Sequence, residues 1–427
     1  MSTQSKDISE SRRDHIPRGD TTTTCPSDDM EFTPKEQRQI MRRVDVRVVA
    51  TVSLLYCFSV IDRSNLPSAA VAGMTDDLKL TGNRYSIVSL VFFTTYTTFQ
   101  PLSIILARTI GPKAYFTGVT MLCGFIVIGM AFLKQWGQMV ALRVILGALD
   151  SGFFPTCVYL LSTWYTRYEV GKRYSVFYVL VCLATAFSGI LAFGLTKLDG
   201  KGNLSGWSWI FLMEGVITCF LGLIGYFLLV GFPDADRTSW RFLSQREIAW
   251  VIARVQQDRG DATLPAFSIR KFLRGGTDAK VWAISLIYFN QAVMNFSLSF
   301  FLPIILKENM GFSTGQAQIL IAPPYIFAAI IMFISGWLGD RYKVRGPIII
   351  GDMIVAIIGT ILVGFHSHVA VRYAGVFLVT GGSFSSIPVV MAYQANNIRG
   401  QWKRAFSSCL TIAFGGIGGI AGSLVFR

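Results

Sequence analysis

Apolar residues recur along this chain in long blocks rather than at scattered positions. Each block runs roughly 18 to 25 residues, enough for a helix to cross about 30 Å of hydrocarbon. The blocks fall near 48–70, 85–106, 114–133, 138–162, 175–196, 208–231, 281–305, 317–338, 347–365, 370–391 and 405–426, which makes eleven. One long polar connection, 232–280, separates the sixth block from the seventh, and it carries an acid- and base-rich helical pattern from Ser244 to Arg259. The pattern predicts an all-α membrane protein with a tail over 1–46, a six-span half over 47–231, a central loop over 232–280 and a five-span half over 281–427. Residues 1 to about 30 are rich in Ser, Thr, Asp and Arg and predict disorder. Thr33-Pro34-Lys35-Glu36 has the form of a capping box with Pro at the first helical position. It opens a short amphipathic helix, Lys35 to Arg47, expected on the membrane surface.

Composition narrows the class further. Apolar residues fill 52% of 427 positions and charged residues 15%, and the mean hydropathy is +0.49. Soluble domains carry about 25% charged residues, so too little polar surface exists here to coat a water-soluble particle. The net charge of +14 is placed mostly in short gaps between apolar blocks, where it sets topology. No basic stripe with interleaved aromatics lies on a polar segment, so nucleic acid is not an expected partner. Of seven cysteines, Cys25 lies in the tail and the other six lie in apolar blocks. None has metal-ligand spacing, and His15, His366 and His368 are the only histidines, so neither metal nor other cofactor is expected. The first 46 residues lack the apolar core of a cleavable signal, so the first span is expected to act as its own uncleaved signal. No nucleophile elbow or phosphate loop appears, and an enzyme is not expected.

Orientation follows from Lys and Arg in the short loops. With the N-terminus cytoplasmic, the four short inner loops carry Arg108 and Lys113; Arg167, Lys172 and Arg173; Arg341, Lys343 and Arg345; and Arg399, Lys403 and Arg404. The outer loops carry Lys79, Arg84, Lys134, Lys197, Lys201, Lys307 and Arg372. Several spans contain Pro, among them Pro67, Pro101, Pro155, Pro303, Pro323, Pro324 and Pro388, which suggests helices bent around a cavity. The run Gly415 to Gly422 holds overlapping G-x-x-x-G spacings that let helix backbones approach closely.

Charged residues inside the blocks are the candidates for chemistry, because an ionised side chain at the bilayer centre costs roughly 2.5–3.5 kcal/mol or more. Asp62-Arg63 lies in the first block, either partly buried or snorkelling to the outer interface. Arg143 and Asp150 lie seven residues apart in the fourth, two turns along nearly the same helix face. A guanidinium suits a carboxylate ligand through two parallel hydrogen bonds, and burial favours the protonated form of a carboxyl group. Together they suit proton-coupled anion transport; a structural ion pair made through neighbouring helices is the alternative. Glu214 in the sixth block is a second candidate for proton coupling, or else an interfacial carboxylate. Asn290, Gln291, Asn295, Gln394, Asn396 and Asn397 either orient a substrate or bond helix to helix.

The run Gly336-Trp337-Leu338-Gly339-Asp340-Arg341-Tyr342-Lys343-Val344-Arg345 resembles the loop signature of the major facilitator superfamily, approximately G-x-L-[GA]-D-[RK]-x-G-[RK], with Lys343 in place of its later Gly. Gly336, Gly339, Asp340 and Arg341 are its gating positions here. The equivalent place after the second block, Ala107 to Lys113, lacks the Asp. Asp62-Arg63-Ser64-Asn65, Arg143 to Pro155, Trp207 to Gly215, Gly381 to Pro388 and Gln394 to Ala405 look like the fungal anion:cation symporters, the group with allantoate and nicotinate permeases. That resemblance covers about 35–427, is nearest the nicotinate-permease branch, and implies a fold of two six-helix halves. It also implies an outer loop and twelfth span beyond Arg427, so the second half here lacks its last helix. It implies roles in anion handling for Arg63 and Arg143 and in proton coupling for Asp150, which stands where Glu is more usual.

The expectation is therefore a monomeric, plasma-membrane, proton-coupled symporter that takes up a small organic anion such as nicotinate or an allantoate-like monocarboxylate. Its partners would be that anion, the proton and the lipid bilayer. An exporter of a metabolite or drug is the second reading, although the fifth block, Phe187 to Gly194, lacks the Pro of a typical antiporter motif. A truncated, non-transporting paralogue is the third. The orientation has a direct test: a cysteine introduced by Gly260→Cys should stay unlabelled by an impermeant reagent applied to intact cells. Labelling from outside overturns the cytoplasmic placement of 232–280.

Overall fold

A computed structural model describes residues 32–232, 242–259, 270, 273–342, 344–398 and 401–425. The expected disordered tail, much of the central loop, and Lys343 and Arg399 lie outside the described residues. So does the side chain of Asp340.

The fold is all helical among the described residues, with eleven helices or helix pairs long and apolar enough to cross a membrane. In chain order the main helices are α1 (Pro34–Val44), α2 (Ala50–Ala69), α3 (Arg84–Ile110), α4 (Pro112–Met130), α5 (Trp136–Asp150), α6 (Phe153–Trp164), α7 (Arg167–Thr196) and α8 (Gly206–Leu228). After the central connection come α9 (Gln245–Arg259), α10 (Ala279–Ile304), α11 (Ala322–Tyr342), α12 (Gly346–Phe365), α13 (Val369–Asn397) and α14 (Gln401–Val425). The fourth span is α5 and α6 together, interrupted at Ser151-Gly152, just before Pro155.

The capping box forms: Glu36 N–H donates to Thr33 Oγ1 at 3.4 Å, and Thr33 N–H donates to Glu36 Oε2 at 2.8 Å. The amphipathic helix it opens is not a separate surface element. It runs through a widened turn, Asp45–Val49, straight into α2, and Ile40, Met41 and Val44 are buried. Polar ties fix it to its own face of the membrane domain. Arg173 Nε bonds Asp45 at 3.0 Å, Arg43 reaches Glu247 of α9 at 3.3 Å, and Arg47 caps the last carbonyls of α8. On that same face Lys403 pairs with Asp278, and the hydrogen bond holds the Asp278 carboxyl below the usual carboxylate range.

Within the N-terminal half α4 packs along α8 and α3 along α5; within the C-terminal half α12 packs along α13 and α10 along α14. The halves meet chiefly through α2–α10, α3–α14 and α7–α11, and α7 also touches α13 and the short helix Thr314–Ile319. At the membrane face opposite α1 they are stitched together by polar bonds. Lys307 Nζ donates to the Val71 carbonyl at 3.0 Å, Gln318 Nε2 to the Ser68 carbonyl at 3.3 Å, and Tyr85 Oη to the Phe300 carbonyl at 3.1 Å.

The glycine run in α14 lies in two of these contacts at once. Gly418 and Gly422 press on α10, where an added Cβ would stand 2.8 Å from the carbonyls of Phe289 and Val293. Gly416 and Gly419 press on Thr97 and Phe93 of α3, in the other half. Backbone cannot yield as a side chain can, so Gly418→Val should cost about 1–3 kcal/mol through overpacking. Gly364 of α12 has open space around its Cβ direction, so Gly364→Val is the control. In detergent, the unfolding midpoint should fall for the first variant only; equal falls would show that close approach at Gly418 is not what the glycine supplies.

Candidate functional site

A cavity of about 130 Å³ lies between the halves. Tyr56 and Arg63 of α2 and Tyr96 of α3 line it from one side, and Tyr288 and Asn295 of α10 and Phe384 of α13 from the other. Tyr178 of α7 and Phe154 of α6 extend the aromatic wall. Arg63 is the one charged residue among its lining residues. Its guanidinium stands 5.4 Å from the Tyr56 ring centre and 5.9 Å from that of Tyr96, so the aromatic faces offset part of the charge.

Asp150 sits behind Arg63. Its Oδ1 accepts from Ser59 Oγ at 2.5 Å, and its Oδ2 lies 3.7 Å from Arg63 Nε and has no hydrogen-bond partner. Ser59 and Arg63 are four apart on α2, so one helix face presents both partners to the end of α5. Arg143 and Asp150, which the sequence puts on one helix face, do not pair with each other. Two turns is about 10.5 Å along the axis, beyond ion-pair reach, so each group finds its partner on α2 instead.

Arg143 is 0% exposed and does not line the cavity. Its Nη1 donates to the Arg63 carbonyl at 3.4 Å. That carbonyl is the one left without a helical donor by Pro67, four residues on. Asp62, next to Arg63 but turned the other way, accepts from Thr218 Oγ1 of α8 at 3.0 Å to each oxygen. The Asp62-Arg63 dipeptide is therefore buried mid-helix, with neither side chain at the outer interface.

The remaining candidates divide. Asn295 lines the cavity, with Nδ2 at 3.4 Å from the Ser383 carbonyl and Oδ1 unpartnered. Asn290 does not: it is exposed and bonds its own helix at the Leu286 carbonyl, 3.0 Å away. Five residues turn a helix by about 140°, so Asn290 and Asn295 cannot share a face. Gln394 is buried away from the cavity, where its Nε2 donates to Ser407 Oγ at 2.9 Å and ties α13 to α14. Glu214 is fully buried on α8 with neither oxygen hydrogen-bonded.

Residues 52–423 match the family profile of the Major Facilitator Superfamily. The chain belongs to that superfamily. Among its relatives, the MFS-type transporter cnsO of Penicillium expansum is 31% identical, across 91% of this chain and 76% of that protein. The high-affinity nicotinic acid transporter of Saccharomyces cerevisiae is 30% identical, across 92% of this chain and 72% of that one. A bacterial homologue of the human lysosomal transporter Spinster, solved inward-facing and unoccupied, superposes with a TM-score of 0.68 at 14% identity, over 92% of this chain and 82% of its own. These findings fix the fold as the major facilitator fold and the chain as a multi-pass membrane transporter.

In this superfamily member the signature loop closes α11. Gly336 faces α7, where an added Cβ would stand 3.2 Å from Ser175 Oγ; Gly339 faces Arg345 and Ile348 at the start of α12. Arg341 is exposed, with its guanidinium 5.3 Å from the Trp337 ring centre.

The tyrosines of the wall were not singled out from the sequence, though a signal exists. Tyr56 and Arg63 are seven apart on the first helix of one half, and Tyr288 and Asn295 are seven apart on the first helix of the other. Each pair shares a helix face.

The two carboxylates Asp150 and Glu214 should respond oppositely to removal. Asp150→Leu strips Arg63 of its counter-charge and should destabilise by about 3 kcal/mol, the low end for breaking a buried pair. Glu214→Leu removes a group with no partner to lose, so the unfolding midpoint should hold or rise. A fall at Glu214→Leu as large as that at Asp150→Leu would show that Glu214 is ionised and paired.

Proposed function

We propose that this transporter takes up a small, flat organic monocarboxylate together with a proton. The observation that carries this reading is Arg63: one cation in an aromatic cavity wall, held only loosely by Asp150 at 3.7 Å. A cation with open donor positions binds an anion, and the tyrosine and phenylalanine faces suit a planar ring. The cavity of about 130 Å³ is well below the roughly 300–1,000 Å³ of drug-sized sites. That size favours a substrate of few heavy atoms. The likeness to a nicotinic acid transporter supports the same chemistry.

Coupling follows from the shared cation. With the site empty, Arg63 stabilises ionised Asp150. An incoming carboxylate competes for the guanidinium and weakens that stabilisation, and Asp150 then takes up a proton. Anion and proton bind cooperatively, as linkage requires. A tenfold gain in coupled affinity corresponds to about 1.4 kcal/mol. Arg143 acts one step back by holding the carbonyl beside Arg63. On this reading the face bearing α1 is cytoplasmic and the signature loop gates that side.

The test is uptake of radiolabelled nicotinate into cells expressing the chain, with and without a proton uncoupler. Accumulation should require the proton gradient. Arg63→Lys keeps the charge but loses the planar fork, and should raise the half-saturation concentration about tenfold, a loss of ~1.4 kcal/mol. Asp150→Asn should abolish accumulation yet keep exchange of internal for external anion. Concentrative uptake by the Asn variant along a pH gradient would remove Asp150 from the coupling role.

A further inference from the structure

The C-terminal half holds a buried carboxylate with no part in the scheme above. α12 is the most apolar of the spans and the least buried within the protein. Its only ionisable residue is Asp352. That residue is nonetheless 9% exposed, because it turns away from lipid into the junction with α11 and α13. One oxygen accepts from Ser335 Oγ of α11 at 3.3 Å, and Ser385 of α13 faces the same carboxyl. The other oxygen, Oδ2, is buried without any partner. Gly382 of α13 makes the junction tight: an added Cβ there would run into the Asp352 carbonyl.

We propose that Asp352 is a proton-binding site whose occupancy sets how α11 packs against α12 and α13. Among the described residues no cation is placed to neutralise it. On α11 the nearest basic residue in sequence is Arg341, six residues past Ser335 and about 9 Å along the helix. Arg345 precedes Asp352 by seven residues, about 10 Å along. Arg372 on α13 is thirteen residues before Ser385, about 20 Å away along the axis. On α7, which packs on the other side of α11, Arg173 is bound to Asp45 and Glu169 to Arg254. The tyrosines of these elements, Tyr325, Tyr342, Tyr373 and Tyr393, lie at least seven residues from Ser335 or Ser385.

A carboxylate in such a place has one hydroxyl donor, Ser335, against the full cost of burying a charge, because Ser385 Oγ donates to the Gly382 carbonyl at 3.3 Å. The neutral acid has no such cost, and its own O–H can donate to a serine oxygen. Protonated Asp352 therefore bridges three helices with every polar atom satisfied. Loss of the proton to the nearby aqueous face leaves a charge that is stabilised only if water enters and the helices part. Ser335 adjoins Gly336, which packs on Ser175 of α7. Loosening the junction thus loosens the contact between the two halves at the signature helix. Phe384 and Ile387 on the far side of α13 line the central cavity, so the junction lies one helix behind the substrate.

The experiment uses the full chain in proteoliposomes carrying the pair Ser175→Cys and Gly336→Cys, with each single variant as control. Oxidative cross-linking across α7–α11, normalised to a cysteine pair placed within one half so that the thiols' own ionisation cancels, should be faster in acid than in alkali, with a single titration step. Adding Asp352→Asn should abolish that pH dependence and leave cross-linking at the acid level, and Asp352→Glu should restore a step. If the Asn variant does not fold, Ser335→Ala should move the step to more alkaline pH, since the donor that favours the ionised form is gone. A pH step that survives Asp352→Asn, or that ignores loss of Ser335, overturns the proposal. So does cross-linking that responds at fixed pH to replacing sodium by choline, which would make the ligand a metal cation.

Discussion

Arg63 and Arg143 are two permanent charges inside a hydrocarbon layer, and the N-terminal half is arranged around holding them. The backbone break at Pro67 is what links them. Proline has no N–H, so the carbonyl four residues earlier, that of Arg63, lacks its helical partner. Arg143 Nη1 lies 3.4 Å from it. One buried donor and one orphan acceptor satisfy each other, and the backbone beside Arg63 is fixed from behind. Its side chain is then free to face the cavity, backed by Asp150 and flanked by Tyr56 and Tyr96. Replacing Pro67 alone would return the carbonyl to the helix and leave Arg143 with nothing to donate to, so the two residues form one device.

The C-terminal half uses the same scaffold without the charge. Its first helix places Tyr288 and Asn295 toward the cavity, as α2 places Tyr56 and Arg63. The halves therefore present one charged and one neutral polar wall to a common space. Between them the seams are of two kinds. On the face opposite α1 they are polar, made by single bonds from Lys307, Gln318 and Tyr85. Midway they are steric, made by the glycines of α14 against α3. Polar bonds to backbone carbonyls can exchange for water, whereas close-packed backbones slide or stay. A rocking motion of one half on the other would break the first kind and pivot near the second.

Much of this was legible in the sequence, because its signals are local. Eleven apolar blocks became eleven spans, since a bilayer enforces helix length directly. The capping box at Thr33 and Glu36 and the helix beginning after Ser244 were equally local. Boundaries shifted where a tertiary contact prolonged a helix, as when α1 ran on into α2 because Ile40, Met41 and Val44 found core to bury in. The site was legible in residue type and less so in partnership. Arg63 stands at the cavity with Asp150 behind it, but the spacing of Arg143 and Asp150 told only that they share a helix face. Which neighbour each one meets depends on how α2 lies against α5, and no periodicity encodes that. Asn290 shows the same limit: an amide in a span reads alike whether it faces a cavity or its own helix. Asp352 went unremarked because a lone acid near a basic loop looks interfacial until its burial is known.

The weakness of the Arg63–Asp150 contact is itself informative for the proposed coupling. A ligand shifts an equilibrium only by the difference between its affinities for the two states. A bidentate, fully buried arginine–carboxylate pair would be worth several kcal/mol to break, more than a small anion in a cavity of about 130 Å³ has to spare. At 3.7 Å from a single nitrogen, with Oδ2 accepting no hydrogen bond, the pair leaves most of its binding capacity unspent. Ser59 holds the carboxylate in place meanwhile, so that separation from Arg63 does not also mean loss of position. The aromatic faces of Tyr56 and Tyr96 do the same for the guanidinium. Each partner is thus held by something other than its counter-ion. That is the condition under which a substrate carboxylate could take one partner from the other without displacing either.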